Sequence, residues 1–205
     1  MPELYHRGQR DLQDRFDTRR LADTLEQRIV HAAFTNSDRE LIERLPMFFL
    51  ATVDADGHLN CSYKGGVPGF VRVVADDMLA FPSYDGNGMF LSMGNVSQTG
   101  EVGMLFIDFD RQTRIRVNGH ASIDLDDPLT ASFPEAQFVV RVRAREIFVN
   151  CPRYIHRMTL VEPSVFAPDG AHDTPVPDWK RSEAFRDALP AADRARDPDA
   201  PTRGR

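Results

Sequence analysis

The sequence has only two cysteines, Cys61 and Cys151, ninety positions apart. That excludes a disulfide framework and gives no paired spacing for a metal. On compartment logic the thiols are expected to be reduced and the protein cytoplasmic. No apolar run approaches the roughly 20 residues that span a bilayer, so no membrane role is expected. The first sixteen residues, MPELYHRGQRDLQDRF, are charged and lack the apolar stretch of a secretory signal. Basic charge is scarce: 25 Lys and Arg stand against 31 Asp and Glu, a net charge of −6. A general nucleic-acid binder would carry a basic face, so nucleic acid is not an expected partner. The histidines, His6, His31, His58, His120, His156 and His172, are dispersed with no HExxH pair, and no metal site is expected. There is no GxSxG elbow, Walker loop or Rossmann fingerprint, and no catalytic residue can be named. No internal repeat is visible.

Short strands are abundant. MFFLATV, LNCSYK, FVRVV, MLAFP, EVGMLFIDF and TRIRVNGHASI are rich in Val, Ile, Phe and Leu and bounded by Asp, Gly or Pro. Asp54-Ala55-Asp56-Gly57 reads as a hairpin turn, with Gly57 free to take a positive φ. Asp76-Asp77 does a similar job before MLAFP. Six such strands between Met47 and Ile123, followed by QFVVRVRAREIFVN, predict a mainly β fold: a small antiparallel barrel or sandwich, with peripheral helices.

Residues 1–45 read as helical. Leu12 and Phe16 share one face, as do Leu21, Leu25 and Ile29. Asp17 or Thr18 is placed to cap the second helix, and Ser37 with Glu40 forms a capping box for the third. Leu41, Ile42 and Leu45 supply a buried face, and all these helices are expected to pack on the barrel. Met89–Met93 reads as a short helix ended by Gly94-Asn95. Cys151-Pro152 opens another, PRYIHRM, with proline in a favoured first-turn position. Trp179 and Phe185 predict that residues 176–189 dock on the body. From Pro190 onward no apolar residue exceeds Ala, which predicts disorder. The chain therefore divides into N-terminal helices (1–45), a barrel domain (46–158) and a C-terminal extension (159–205).

Two patterns carry chemistry. Arg114, Arg116, Asn118 and His120 alternate with Ile115, Val117 and Gly119, so one face of that strand is polar. Two arginines there read either as a solvated face or as an anion site. Ser62-Tyr63-Lys64-Gly65-Gly66 brings a hydroxyl, an aromatic ring, an ammonium and two flexible backbones together. It reads either as a strand end with a bulge or as a cradle for a phosphorylated, planar ligand.

Several pieces in order, FFLATVDADGHLNCSYKGGVPGFVRV, MLAFPSYDGNGMFLSMGNV, VGMLFIDF, TRIRVNGHA and the CPR pattern at 151–153, resemble the pyridoxamine 5′-phosphate oxidase-like family, the FMN-binding split β-barrels. The resemblance covers residues 45–157. It implies a homodimer with two FMN sites at the subunit interface, acting as an oxidoreductase on a small-molecule substrate. It places Ser62, Tyr63, Lys64 and Gly65 along the flavin, followed by Phe81 and Pro82. Asn87 and Ser92 fall in the phosphate-binding turn and helix. Arg114 and its neighbour Arg116 match a flavin-contacting strand, and Cys151, Arg153 and Tyr154 match a segment near the flavin. Relatives carry Arg or Lys in the stretch aligned with Asn87, Gly88 and Met89, and this chain has none. Lys64, Arg114, Arg116 or Arg153 would then neutralise the phosphate, since a desolvated phosphate needs a cation. The C-terminal Arg and His with which pyridoxamine phosphate oxidases bind substrate are not recognisable, which argues against pyridoxamine phosphate as substrate. The alternatives are a barrel that sequesters FMN, F420 or haem without turnover, with His120 or His156 as axial haem ligand, and a structural dimer without cofactor.

Overall fold

The structure, a computed structural model, describes residues 4–202. Seven strands form one antiparallel sheet: β1 (Met47–Val53), β2 (Leu59–Gly65), β3 (Arg72–Ala75), β4 (Met78–Tyr84), β5 (Glu101–Asp108), β6 (Thr113–Asp124) and β7 (Ala136–Val149). Their order is β2-β1-β5-β6-β7-β4-β3. The fold is the mainly β split barrel that the family resemblance implied, consistent with the strand pattern. Gly57, at φ +87°, turns β1 into β2, while the Asp54 carboxylate accepts from the amides of Asp56 and His58. Strict alternation puts Phe48, Leu50, Val102, Met104, Phe106, Ile115 and Val117 inside. Phe48 sits at the centre, with its ring 5.9 Å from that of Phe70 and 5.1 Å from those of Phe81 and Phe106. A bulge at Arg145 of β7, opposite Asn118 and Gly119, bends β7 against β6.

The helices are α1 (Arg7–Arg15), α2 (Arg19–Ile29), α3 (Asn36–Arg44), α4 (Leu91–Gln98) and a one-turn α5 (Glu183–Arg186). Thr18 precedes α2 as expected but makes no side-chain capping bond. The capping box of α3 is Thr35 with Asp38, two positions before the predicted Ser37 and Glu40. Thr35 Oγ1 accepts from the Asp38 amide at 3.2 Å, and Asp38 Oδ2 accepts from the Thr35 amide at 2.8 Å. The same carboxylate meets His31 Nε2 at 2.8 Å, a long-range contact that favours this register. Of the three N-terminal helices only α3 reaches the core, through Leu41 and Ile42 with Leu45 just past its end, while α4 packs on the sheet through Met93 and Val96. Leu12, Phe16, Leu21 and Leu25 keep 42–69% of their surface exposed, so α1 and α2 do not cover the barrel as expected. They are tied to each other by Arg10 and Asp23.

Two short-helix expectations fail. α4 runs straight through Gly94-Asn95, because the Gly94 amide donates to the Phe90 carbonyl and Asn95 Nδ2 donates to Thr52 Oγ1. Residues 151–158 form a turn and then an extended run. Gln112 Nε2 donates to the Ile155 carbonyl at 2.7 Å and the Met158 amide to Phe109 at 3.2 Å, drawing the chain along the β5–β6 turn. Residues 176–202 fold back on themselves. The anchors are small: Val176, Ala195 and Ala200 cluster, with Leu189 beside them.

Candidate functional site

The sheet does not close. Opposite the β2 edge, where β4 ends and the chain continues into α4, lies a cavity of about 780 Å³, within the range that holds drug-sized ligands. Its floor is one face of β2. Asn60, Ser62 and Lys64 are paired with Thr52, Leu50 and Phe48, which point inward, so these three point inward too. Ser62 Oγ lies 3.0 Å from Ser92 Oγ, and Ser92 donates to Asn60 Oδ1 at 3.3 Å, joining β2 to the first turn of α4.

That first turn is unusual. Its N-cap residue is Phe90, in the left-handed region at φ 50°, and a phenyl ring offers no oxygen to the exposed amides. Asn87 cannot substitute, because its Oδ1 accepts from the Met89 amide within the loop. The positive end of α4 therefore faces the cavity with no side-chain cap. Lys64 lines the same cavity, half-buried and with no ion-pair partner among the described residues. Burial lowers its pKa from the usual lysine value, which marks a charge held without compensation.

The walls are aromatic and apolar. Burial pushes the pKa of Tyr84, at the end of β4, up to about 12, so its hydroxyl stays protonated. Met89, Phe90 and Leu91 form one side. The other comes from the C-terminal extension: Trp179 and Phe185 meet edge to face at 5.6 Å, and Leu189 and Pro190 continue the wall. This wall is pinned by Lys180, only 4% exposed, whose Nζ donates to Asp193 Oδ2 at 2.8 Å and Asp85 Oδ2 at 2.5 Å. Burial opposes that charge, but the two carboxylates outweigh it and raise the lysine pKa.

The residues picked out from sequence separate into three groups. Ser62, Lys64, Asn87 and Ser92 line the cavity. Phe81 and Pro82 are buried behind it. Tyr63, Arg114, Arg116, Cys151, Arg153 and Tyr154 lie on the outer face of the sheet or at its border. Pairing registers put Tyr63, Phe49, Leu105, Arg116 and Phe148 in one row across five strands. Arg114 donates to the Cys151 carbonyl at 3.3 Å, while its Nε is buried without a partner. Arg153 donates to Cys151 Sγ at 3.2 Å. Its backbone amide, its guanidinium and Arg114 together hold the thiol below the usual cysteine range. Gly65 closes β2 where an added Cβ would meet the Tyr63 ring at 2.7 Å. One chain therefore does not bring the outer arginines to its own cavity.

Asn60, Ser83, Tyr84, Trp179, Lys180, Phe185 and Leu189 also line the cavity and were not picked out as site residues. Asn60 was within reach, since it alternates with Ser62 and Lys64. Lys180 carries no local signal: its partners lie at 85 and 193. None of the six histidines lines the cavity; His120 lies 3.6 Å from Glu101, and His156 is exposed. Asp54, Asp56 and His58 come within ligating distance of one another, but Asp54 serves the hairpin turn. Among the described residues no helix is long and apolar enough to cross a membrane.

A family model for pyridoxamine 5′-phosphate oxidase matches residues 34–162. Among solved structures, HupZ of Group A Streptococcus is 20% identical over 57% of this chain and 93% of its own, with a TM-score of 0.47. An FMN-binding protein of Syntrophomonas wolfei is 16% identical over 68% and 97%, with a TM-score of 0.41. HutZ, the haem storage protein of Vibrio cholerae, is 16% identical over 55% and 92%, with a TM-score of 0.42. No curated protein matches the chain.

Proposed function

The chain belongs to the pyridoxamine 5′-phosphate oxidase family, and on that premise we propose that it holds FMN in this cavity and works as an FMN-dependent oxidoreductase on a small molecule. The observation that carries the reading is that Lys64 and the uncapped start of α4 line one cavity. An ammonium without a partner and a helix end without a cap are both costly when left unsatisfied, and a phosphate satisfies both. The donor set fits the group: Lys64 supplies the charge that residues 87–89 lack, and Ser62, Ser92 and Asn60 supply neutral hydrogen bonds. Bound FMN would supply the hydride and electron chemistry that none of these side chains offers.

The protein's own contribution is binding and environment. Lys64 neutralises the phosphate. Tyr84 keeps its proton at physiological pH and offers a hydroxyl in the wall. Trp179, Phe185 and Leu189 exclude water. The reading includes a homodimer joined through the outer face of β2, β1, β5 and β6, which carries Phe49, Tyr63 and Leu105 among the outer arginines. A second copy would cover this face, and Arg114 and Arg116 of one subunit would then complete the site of the other. Haem is less well supported, because neither His120 nor His156 lines the cavity. F420 would draw on the same phosphate contacts.

Release of the chromophore from purified protein, followed by FMN titration of Lys64→Gln, tests the reading. The expected result is FMN in the supernatant and an affinity loss of about 10- to 100-fold in the variant, the usual worth of a charge-assisted hydrogen bond. Unchanged affinity would remove Lys64 from the phosphate site. A released chromophore with a deazaflavin or haem spectrum would replace FMN.

A further inference from the structure

The family match ends at residue 162, yet one wall of the cavity is built from residues 179–193. We infer that this C-terminal wall is a second compartment of the site, selecting a planar aromatic substrate that is neutral or cationic. The inference rests on the flavin reading for the polar floor, which the phosphate end of FMN would fill.

The two sides of the cavity differ in chemistry. The floor is polar, with Asn60, Ser62 and Lys64. The rest of the lining is aromatic and apolar, with Trp179 and Phe185 from the C-terminal extension and Met89 and Phe90 from the loop before α4. The two rings of the wall already meet edge to face, at 5.6 Å and 86°. Such a pair presents a ring face to a third planar group, and the Met89 thioether and Phe90 ring add apolar surface to the same cavity. Trp179 and Phe185 are 40% and 50% exposed, so this ring surface is available to a ligand. Charge at the rim is unbalanced: the carboxylates of Asp85 and Asp193 share the single ammonium of Lys180, leaving one net negative charge. With Lys64 committed to phosphate, no free cation remains in the cavity lining to receive an anionic substrate.

Equilibrium dialysis of the FMN-loaded protein against 2-naphthol and 2-naphthoate isolates charge at constant shape. The expected result is 2-naphthol bound about ten-fold more tightly than 2-naphthoate. Trp179→Leu should weaken 2-naphthol by roughly ten-fold. Phe185→Leu, at a half-exposed position that tolerates replacement, should weaken 2-naphthol in the same direction. Equal or tighter binding of 2-naphthoate would overturn the charge assignment. Failure of 2-naphthol to bind, or indifference to both substitutions, would overturn the wall. Failure of wild type to take up FMN would refute the flavin reading instead. The same two ligands dialysed against FMN-free protein would still decide whether the wall binds them.

Discussion

Replacing Lys180 by Met tests how the cavity wall is held. The ammonium is 4% exposed and bonds two carboxylates. Breaking a buried pair by removing one partner costs about 3–5 kcal/mol, because the other charge is left unpaired. Asp85, with 62% of its side chain exposed, regains water at little cost. Asp193, at 9%, does not. The lower end, about 3 kcal/mol, is therefore the better estimate. Against it the segment has only a small cluster around Val176, Ala195 and Ala200. Residues 176–202 should come off while the barrel, whose core is built from β1 and β4 to β7, stays folded. Trp179 is the only tryptophan, so its fluorescence reports this segment alone. Lys180→Met should red-shift the emission and increase acrylamide quenching, with an unchanged β-sheet circular dichroism spectrum. Replacing both partners, Lys180→Met with Asp193→Leu, should restore the protected state, since an apolar pair avoids the orphaned charge. The pH dependence follows from the pKa directions. Lys180 is raised, so its contribution is complete below the unfolded lysine value and fades as pH rises through the folded one. Asp193 is lowered, so its contribution is complete above the unfolded carboxylate value and fades as pH falls through the folded one. Trp179 should thus be released at both extremes. Wild-type quenching in Lys180→Met, or loss of the whole sheet together with the segment, would refute this account of the latch.

Other substitutions separate binding from folding. Lys64→Met should raise the melting temperature of FMN-free protein, because it removes a half-buried charge that has no partner, while weakening FMN; a fall in both would place Lys64 among structural residues. Gly119→Ala should cost about 3 kcal/mol or more, a drop of roughly 6–12 °C by calorimetry, because its Cβ would lie 2.1 Å from the Arg143 carbonyl oxygen; a wild-type melting curve would mean that the bulge yields freely. Leu105→Glu, on the outer face, should convert the proposed dimer into a monomer by light scattering without altering circular dichroism; an unchanged dimer would move the interface elsewhere, and a monomeric wild type would refute the dimer.

Much of the fold was legible because it rests on local periodicity. Strand positions followed from MFFLATV and LNCSYK, and the family resemblance pointed to Ser62 and Lys64, but alternation alone did not say which side is inward: Leu59, Cys61 and Tyr63 face out while Asn60, Ser62 and Lys64 face the cavity. What failed depended on distant partners. Ser37 and Glu40 have the spacing of a capping box, but His31 engages Asp38 and the helix starts from Thr35. The stripe of Leu21 and Leu25 has helical period, yet nothing in its spacing says whether the chain itself covers it. Gly94-Asn95 looks like a helix stop, but Thr52 holds Asn95 within the helix. The wall could not be read at all: Trp179 stood out by size, whereas Lys180 gains its meaning only from Asp85 and Asp193, 95 and 13 positions away.

The central claim is that FMN sits on the β2 floor of the cavity whose lining also carries Trp179. Titrating FMN into flavin-free protein while recording Trp179 emission tests it most directly, because flavin absorbs where tryptophan emits. The account predicts saturable, near-complete quenching at about one FMN per chain, lost to higher concentration in Lys64→Gln. Tight FMN binding with Trp179 emission unchanged, or no binding at all, would contradict it.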